Sequence, residues 1–179
     1  RRGSRRNVDH TAYEEGIYVG YRYFDSFGQV VSYPFGHGLS YTSFAYRDAA
    51  LTVTTNGFDL TLTVENTGLR PGREVVQLYV AAPDCARHNR PDKELKAFAK
   101  TCLLRPGEEQ RLTLHVPLDE LARYDEPRTA WITDAGCYEF QLGASSADIR
   151  ARLQADVPAA ERKAKDVLGP ERPLGELTR

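Results

Sequence analysis

Phe58, Leu60, Leu62 and Val64 alternate with Asp59, Thr61, Thr63 and Glu65, and no other feature narrows the possible fold as sharply. Successive side chains of an extended strand point to opposite faces, so this run offers one apolar face to a core and one wet face to water. The same period recurs at Leu112, Leu114 and Val116, at Tyr138, Phe140 and Leu142, and at Ile149, Ala151, Leu153 and Ala155. Leu51 and Val53 alternate with Thr52 and Thr54, and Asn56-Gly57 follows as a turn tolerant of positive φ, which is a hairpin signal. Asn66-Thr67-Gly68, Pro71-Gly72 and Arg105-Pro106-Gly107-Glu108 supply further turns. Val75, Val76, Leu78, Tyr79 and Val80 fill both faces of one segment, as in a central strand covered on two sides. Residues 95–104 read as a less regular strand and 118–124 as a short helical turn. The pattern predicts an all-β fold, an antiparallel sandwich of about seven short strands. The lone Trp131 is expected to anchor the core between the sheets.

The chain ahead of this region has a different character. Residues 1–12 are polar and lack a hydrophobic period, which predicts a loop or a cut end. Gly16-Ile17-Tyr18-Val19-Gly20-Tyr21-Arg22-Tyr23-Phe24-Asp25 is rich in aromatic and β-branched residues and predicts a buried strand ending in a turn at 26–28. Tyr33-Pro34-Phe35-Gly36-His37-Gly38-Leu39-Ser40-Tyr41-Thr42-Ser43-Phe44 is then a loop dense in aromatics and glycines, placed at a junction. Residues 157–179, with three prolines and two glycines, read as a tail or linker with a short helix over 159–168.

The two motifs on either side of that junction resemble the carboxy-terminal part of family 3 glycoside hydrolases of the β-glucosidase type. The downstream residues extend the resemblance in order: Val64-Glu65-Asn66-Thr67-Gly68, then 71–80, Pro91-Asp92-Lys93-Glu94-Leu95-Lys96-Ala97-Phe98, Pro106-Gly107, Trp131, Gly136-Cys137-Tyr138, and Gly143-Ala144-Ser145-Ser146-Ala147-Asp148-Ile149. It covers about residues 13–153. The resemblance implies that residues 1–45 are the remnant strand and loop closing an α/β sandwich domain. Residues 46–156 would form an immunoglobulin/fibronectin type III-like sandwich, and 157–179 a tail or linker. It further implies upstream catalytic domains in the same polypeptide, and a parent enzyme that hydrolyses terminal β-glycosidic bonds of oligosaccharides or aryl glycosides.

Composition removes several function classes. A net charge of -1 with 27% charged residues of both signs gives no general attraction to nucleic acid or to anionic lipid. The four arginines at 1, 2, 5 and 6 have no interleaved stacking aromatics, so neither a nucleic-acid nor a membrane partner is expected. No apolar run approaches eighteen residues, and no leader pattern opens the chain. With no methionine, even at position 1, the chain is expected to be a downstream piece of a longer product. Cys85, Cys102 and Cys137 cannot all pair and show no CxxC spacing, which predicts free thiols; a Cys102–Cys137 bridge is the alternative in a secreted parent. For location, cytoplasmic is favoured slightly over secreted.

A retaining glycosidase places two carboxyl groups about 5 to 5.5 Å apart across the scissile bond. Glu14, Glu15 and Asp25 stand beside aromatics, but the resemblance implies that nucleophile and acid/base both come from upstream regions. No catalytic residue is therefore assigned to this chain. The resemblance places the 35–41 loop at the rim of the substrate cleft. Phe35, His37 and Tyr41 are the candidate substrate-binding residues of an outer subsite, since aromatic rings stack on sugar faces and glycines allow close backbone approach. The competing reading has Phe35, Tyr41 and Phe44 packing the two domains together. His37 lacks a second ligand at metal-binding spacing, so no metal and no cofactor is expected. His115 is expected to be solvated on a wet strand face. An alternative function, consistent with 10% aromatic content, is an autonomous carbohydrate-binding or adhesion module. A strand torn from a larger sheet would leave an apolar edge, and the isolated chain is then expected to associate.

Overall fold

The computed structural model describes residues 14–164. Within them the strands follow in chain order as β1 (Phe44–Thr54), β2 (Gly57–Asn66), β3 (Val75–Ala81), β4 (Glu94–Lys100), β5 (Glu109–Pro117), β6 (Arg123–Asp125), β7 (Ala130–Thr133), β8 (Gly136–Gly143), β9 (Ile149–Val157) and β10 (Ala160–Lys163). A three-stranded sheet in the order β1-β2-β5 faces a four-stranded sheet in the order β4-β3-β8-β9, and β10-β7-β6 forms a small third sheet. The two facing sheets together supply the seven antiparallel strands that the alternating pattern predicts.

The core follows from register. Phe58, Leu60 and Leu62 of β2 lie opposite Val116, Leu114 and Leu112 of β5, while Leu78 and Val80 of β3 lie opposite Leu142 and Phe140 of β8. These side chains are buried between the sheets, with the rings of Phe58 and Phe140 meeting at 4.9 Å across them. Burying each one contributes about 2 kcal/mol. Two turns close the strands as their residues demand. Gly57 lies so near the Val116 carbonyl that a Cβ would sit on it, and Gly107, at φ 79, takes the left-handed position after Pro106 while Glu108 donates back to Arg105 at 2.9 Å.

β3 is buried on both faces, as its continuous apolar run predicts. Its second face is covered by the segment ahead of β1. The Tyr21 ring meets Tyr79 edge-on at 5.8 Å, its hydroxyl accepts from the Leu95 amide at 2.7 Å, and Ser26 Oγ accepts from the Asp92 amide at 2.9 Å. Tyr18, 1% exposed, donates to Asn89 at 3.0 Å.

Four expectations are corrected. The strand predicted over 16–25 is a turn followed by a six-residue helix, α1 (Tyr21–Ser26). Gly16 and Gly20 sit at φ 57 and 60, which breaks an extended run, and the tyrosines find their partners on the outer face of β3 and in the 89–95 segment. Trp131 does not anchor the core: its neighbours Ala130 and Ile132 take the buried face of β7, and alternation turns the indole outward, 38% exposed. The part of the predicted 159–168 helix that is described forms β10, hydrogen-bonded along β7, and the rest lies outside the described residues, as do 1–12. His115 is exposed yet paired, its Nδ1 standing 2.6 Å from the Asp59 carboxylate. The 118–124 expectation holds as a 3₁₀ turn at Leu118–Leu121. None of Cys85, Cys102 and Cys137 is in a disulfide, and the Cys85 thiol donates to the Ala82 carbonyl at 3.0 Å.

Candidate functional site

The 33–44 segment leaves the outer face of the four-stranded sheet and runs into β1, and its backbone is pinned at both margins. Gln77, in the middle of β3, is 5% exposed and donates its side-chain amide to the Gly36 carbonyl at 3.1 Å and to the Ala144 carbonyl at 2.8 Å. Its oxygen accepts the Tyr79 hydroxyl at 2.6 Å, so every atom of the buried amide works. The Ser146 amide donates to the Phe35 carbonyl at 2.8 Å, and Gly36, at φ 78, lies against the Gln77 amide where no Cβ would fit.

At the far end Thr42 donates to Asn66 Oδ1 at 2.6 Å. Asn66 is fully buried and donates in turn to the carbonyls of Arg70 and Leu104, both at 2.8 Å, while Oδ1 also accepts the Gly68 amide at 3.1 Å. The Asn66-Thr67-Gly68 turn is thus a clasp for the loop as well as the end of a strand.

The three predicted site residues are brought to one loop but take different roles. Phe35 stacks on Tyr21 with centroids 4.7 Å apart and is half exposed. His37 is exposed beside the Tyr33 ring at 5.4 Å. Tyr41 touches solvent with 98% of its surface, and Leu39 with 93%. Of the predicted packing set, Phe35 and Phe44 pack within this chain and Tyr41 does not. Among the described residues no group of three or more His, Cys, Asp or Glu gathers around a metal position, and no helix is long and apolar enough to cross a membrane.

Beneath the loop lies a polar groove of about 460 Å³ lined by His37, Ser40, Glu74, Lys100, Asp148 and Arg150 among others. Burial pushes the Glu74 carboxyl up, against the pull of the hydrogen bond donated by Tyr46 at 3.0 Å. Burial, followed by the nearby Glu74 charge, pushes the Tyr46 phenol far up. Arg150 covers the Tyr46 ring at 4.7 Å, donates to the Phe44 carbonyl at 3.0 Å and binds Asp148 at 2.8 Å. Both groove carboxylates therefore have partners within the chain, an arrangement suited to holding the loop base. Of the carboxylates beside the upstream aromatics, Asp25 stands 3.4 Å from Lys93, and Glu14 and Glu15 are exposed.

Sequence reasoning missed Gln77, Asn66 and the Glu74–Tyr46–Arg150 set. Gln77 left a readable signal, an amide in the midst of a strand otherwise apolar on both faces. Arg150 left a signal only for its pair with the nearby Asp148; its contacts with Phe44 and Tyr46 of β1 left none.

Residues 74–146 match the fibronectin type III-like domain family. β-Glucosidase A of Butyrivibrio fibrisolvens is 41% identical over 170 residues, which is 83% of this chain and 20% of that protein. The structure of β-glucosidase 3B from Thermotoga neapolitana in complex with α-D-glucose superposes with a TM-score of 0.81 at 42% identity, covering 85% of this chain and 21% of that one. The chain carries a fibronectin type III-like domain and is similar to one portion of family 3 β-glucosidases. The family 3 β-glucosidase of Bifidobacterium adolescentis, at a TM-score of 0.75 and 36% identity, covers 87% of this chain and 23% of that one. The chain thus spans about a fifth of the length of the relatives it matches. In this fibronectin type III-like portion the family match leaves β1 and β2 outside, although they make up most of the sheet facing β3 and β8.

Proposed function

We propose that this chain is the non-catalytic carboxy-terminal part of a β-glucosidase-like hydrolase that cleaves terminal β-glycosidic bonds, and that its sandwich buttresses the catalytic domains. Residues 1–45 are then the end of the α/β sandwich, 46–156 the fibronectin type III-like domain and 157–179 a tail or linker. The observation that carries the reading is the Gln77 brace. A buried amide of the sandwich fixes the backbone of the aromatic loop, while among the described residues Leu39 and Tyr41 are left almost fully exposed. A loop so fixed at its base and so apolar at its tip is suited to completing a surface supplied by another domain. Phe35, His37 and Tyr41 are the residues proposed to line its outer, leaving-group subsite.

The test compares hydrolysis of an aryl β-glucoside by this chain and by the gene product that includes the upstream region. Activity only in the longer product, with Tyr41→Ala raising KM and leaving thermal stability unchanged, is the expected result. Turnover by this chain alone at the rate of the longer product overturns the reading.

A further inference from the structure

Among the described residues Arg90 is the only buried arginine or lysine, 5% exposed. Its Nη2 donates to the Leu121 carbonyl at 3.2 Å and to Glu94 at 3.5 Å. Its Nη1 is sealed from solvent and makes no hydrogen bond among the described residues. The Asp134 carboxylate stands 3.9 Å from that nitrogen, but it is taken up by Arg123, which donates to both of its oxygens at 3.0 and 3.3 Å. A buried guanidinium N–H without an acceptor is costly, so the feature asks for an explanation.

Arg90 lines a hollow of about 560 Å³ bounded by α1, residues 88–96 and β6, a volume in the range of small-ligand sites. Five arginine and lysine side chains and three carboxylates line it, a surplus of two positive charges with His88 neutral. The surplus has a local origin. Arg22 at 3.1 Å, and Arg90 and Lys96 both at 3.5 Å, share the single Glu94 carboxylate, which offsets only one of the three. The hollow shares no lining residue with the groove beneath the 33–44 loop.

We propose that this hollow binds a dianionic oxyanion of the phosphate type, held by Arg22, Arg90 and Lys96. Two guanidinium groups and an ammonium are the donors that such oxygens take in charge-assisted hydrogen bonds. A dianion matches the whole surplus around Glu94, whereas a carboxylate ligand matches half of it. The hollow exceeds the ion in size and leaves room for the organic body of a phosphate ester. Arg22 belongs to α1, and Arg90 and Lys96 to the sandwich, so the bound group ties the two together and stabilises the fold by mass action. The site does not depend on the loop or on hydrolysis by any upstream domain.

The full chain is titrated calorimetrically at pH 8 with inorganic phosphate, with phenyl phosphate and with acetate, the ionic strength being held constant with sodium chloride so that screening does not vary. Expected are saturable heat with both phosphates, a melting temperature that rises with their concentration, and binding at least about tenfold weaker for acetate. Tighter binding of phenyl phosphate identifies an ester as the ligand, and equal binding the free ion; either supports the site. Arg90→Gln is expected to lose at least about tenfold in phosphate affinity. Should that variant fail to fold, Arg22→Gln, at a side chain 38% exposed, carries the same test. Lys100→Gln, on the groove beneath the loop, is expected to bind as the parent chain does. No saturable response to either phosphate, acetate bound as tightly, undiminished affinity in the folded arginine variant, or an equal loss in Lys100→Gln overturns the proposal.

Discussion

Gln77 donates its side-chain amide to the carbonyl of Gly36 at 3.1 Å, linking the centre of a core strand to a loop 41 residues away in sequence. The loop is thereby part of the sandwich's own hydrogen-bond system. Gln77→Leu keeps much of the volume but leaves the Gly36 and Ala144 carbonyls without their shared donor. The variant is expected to lose about 2 to 4 kcal/mol by urea denaturation. An unchanged midpoint would mean that the brace carries no weight.

Asn66 predicts a larger effect than its partner Thr42. Asn66→Ala strips two donors and one acceptor from a fully buried amide and is expected to cost about 2 to 4 kcal/mol, whereas Thr42→Val removes one donor at a half-buried site and is expected to cost about 1. Equal losses in chemical denaturation would contradict the clasp as described.

Two carboxyls make opposite contributions to acid stability. Burial tends to raise Glu94, but Lys96, Arg22 and Arg90 outweigh it and hold the carboxyl below its ordinary value of 4.5. Its stabilising charge is present above that value and is lost as pH falls through the lower native one. Glu74, raised chiefly by burial, works the other way: the folded chain holds its proton more tightly, and stability is lost as pH rises through the native value. Melting temperatures between pH 3 and pH 7 should therefore show Glu94→Gln below the parent chain at pH 7, with the gap closing in acid. Glu74→Gln should lie above it at pH 7 and converge with it in acid. Parallel profiles would rule out both assignments.

Leu39 and Tyr41, at 93% and 98% exposure, predict self-association of the isolated chain. Leu39→Ser with Tyr41→Ser is expected to lower the apparent mass in light scattering without moving the melting temperature, because neither side chain packs within the fold. A parent chain that is monomeric at high concentration would contradict this.

The sandwich was legible because its information is local. Period-two alternation at Phe58–Val64 and turn residues at Asn56-Gly57 and Pro106-Gly107 act over a few positions, and register follows once those turns are made. Trp131 was legible too, had the Ala130–Ile132 alternation been preferred to the general tendency of tryptophan to be buried. The helix at 21–26 was not. Aromatic and β-branched residues there favour an extended chain, and the breaks at Gly16 and Gly20 together with contacts to Tyr79, Asn89 and Leu95 decide otherwise. The loop was visible as a dense run of aromatics and glycines, but its bracing was hidden because Gln77 acts on Gly36 and Ala144, Asn66 on Thr42 and Leu104, and Arg150 on Phe44, none of which a short-range pattern brings near.

β10 has a practical consequence for anyone grafting this module onto another protein. It follows the last strand of the main sandwich, pairs along β7 from Ala160 to Lys163, and Ala164 still donates to the Thr129 carbonyl at 2.9 Å. A splice made just after Val157, where the sandwich ends, would strip β7 of a neighbour and leave its amides and carbonyls as an open template for other chains. The transplantable unit runs through Ala164, and a fusion partner joined there keeps β7 paired on both sides.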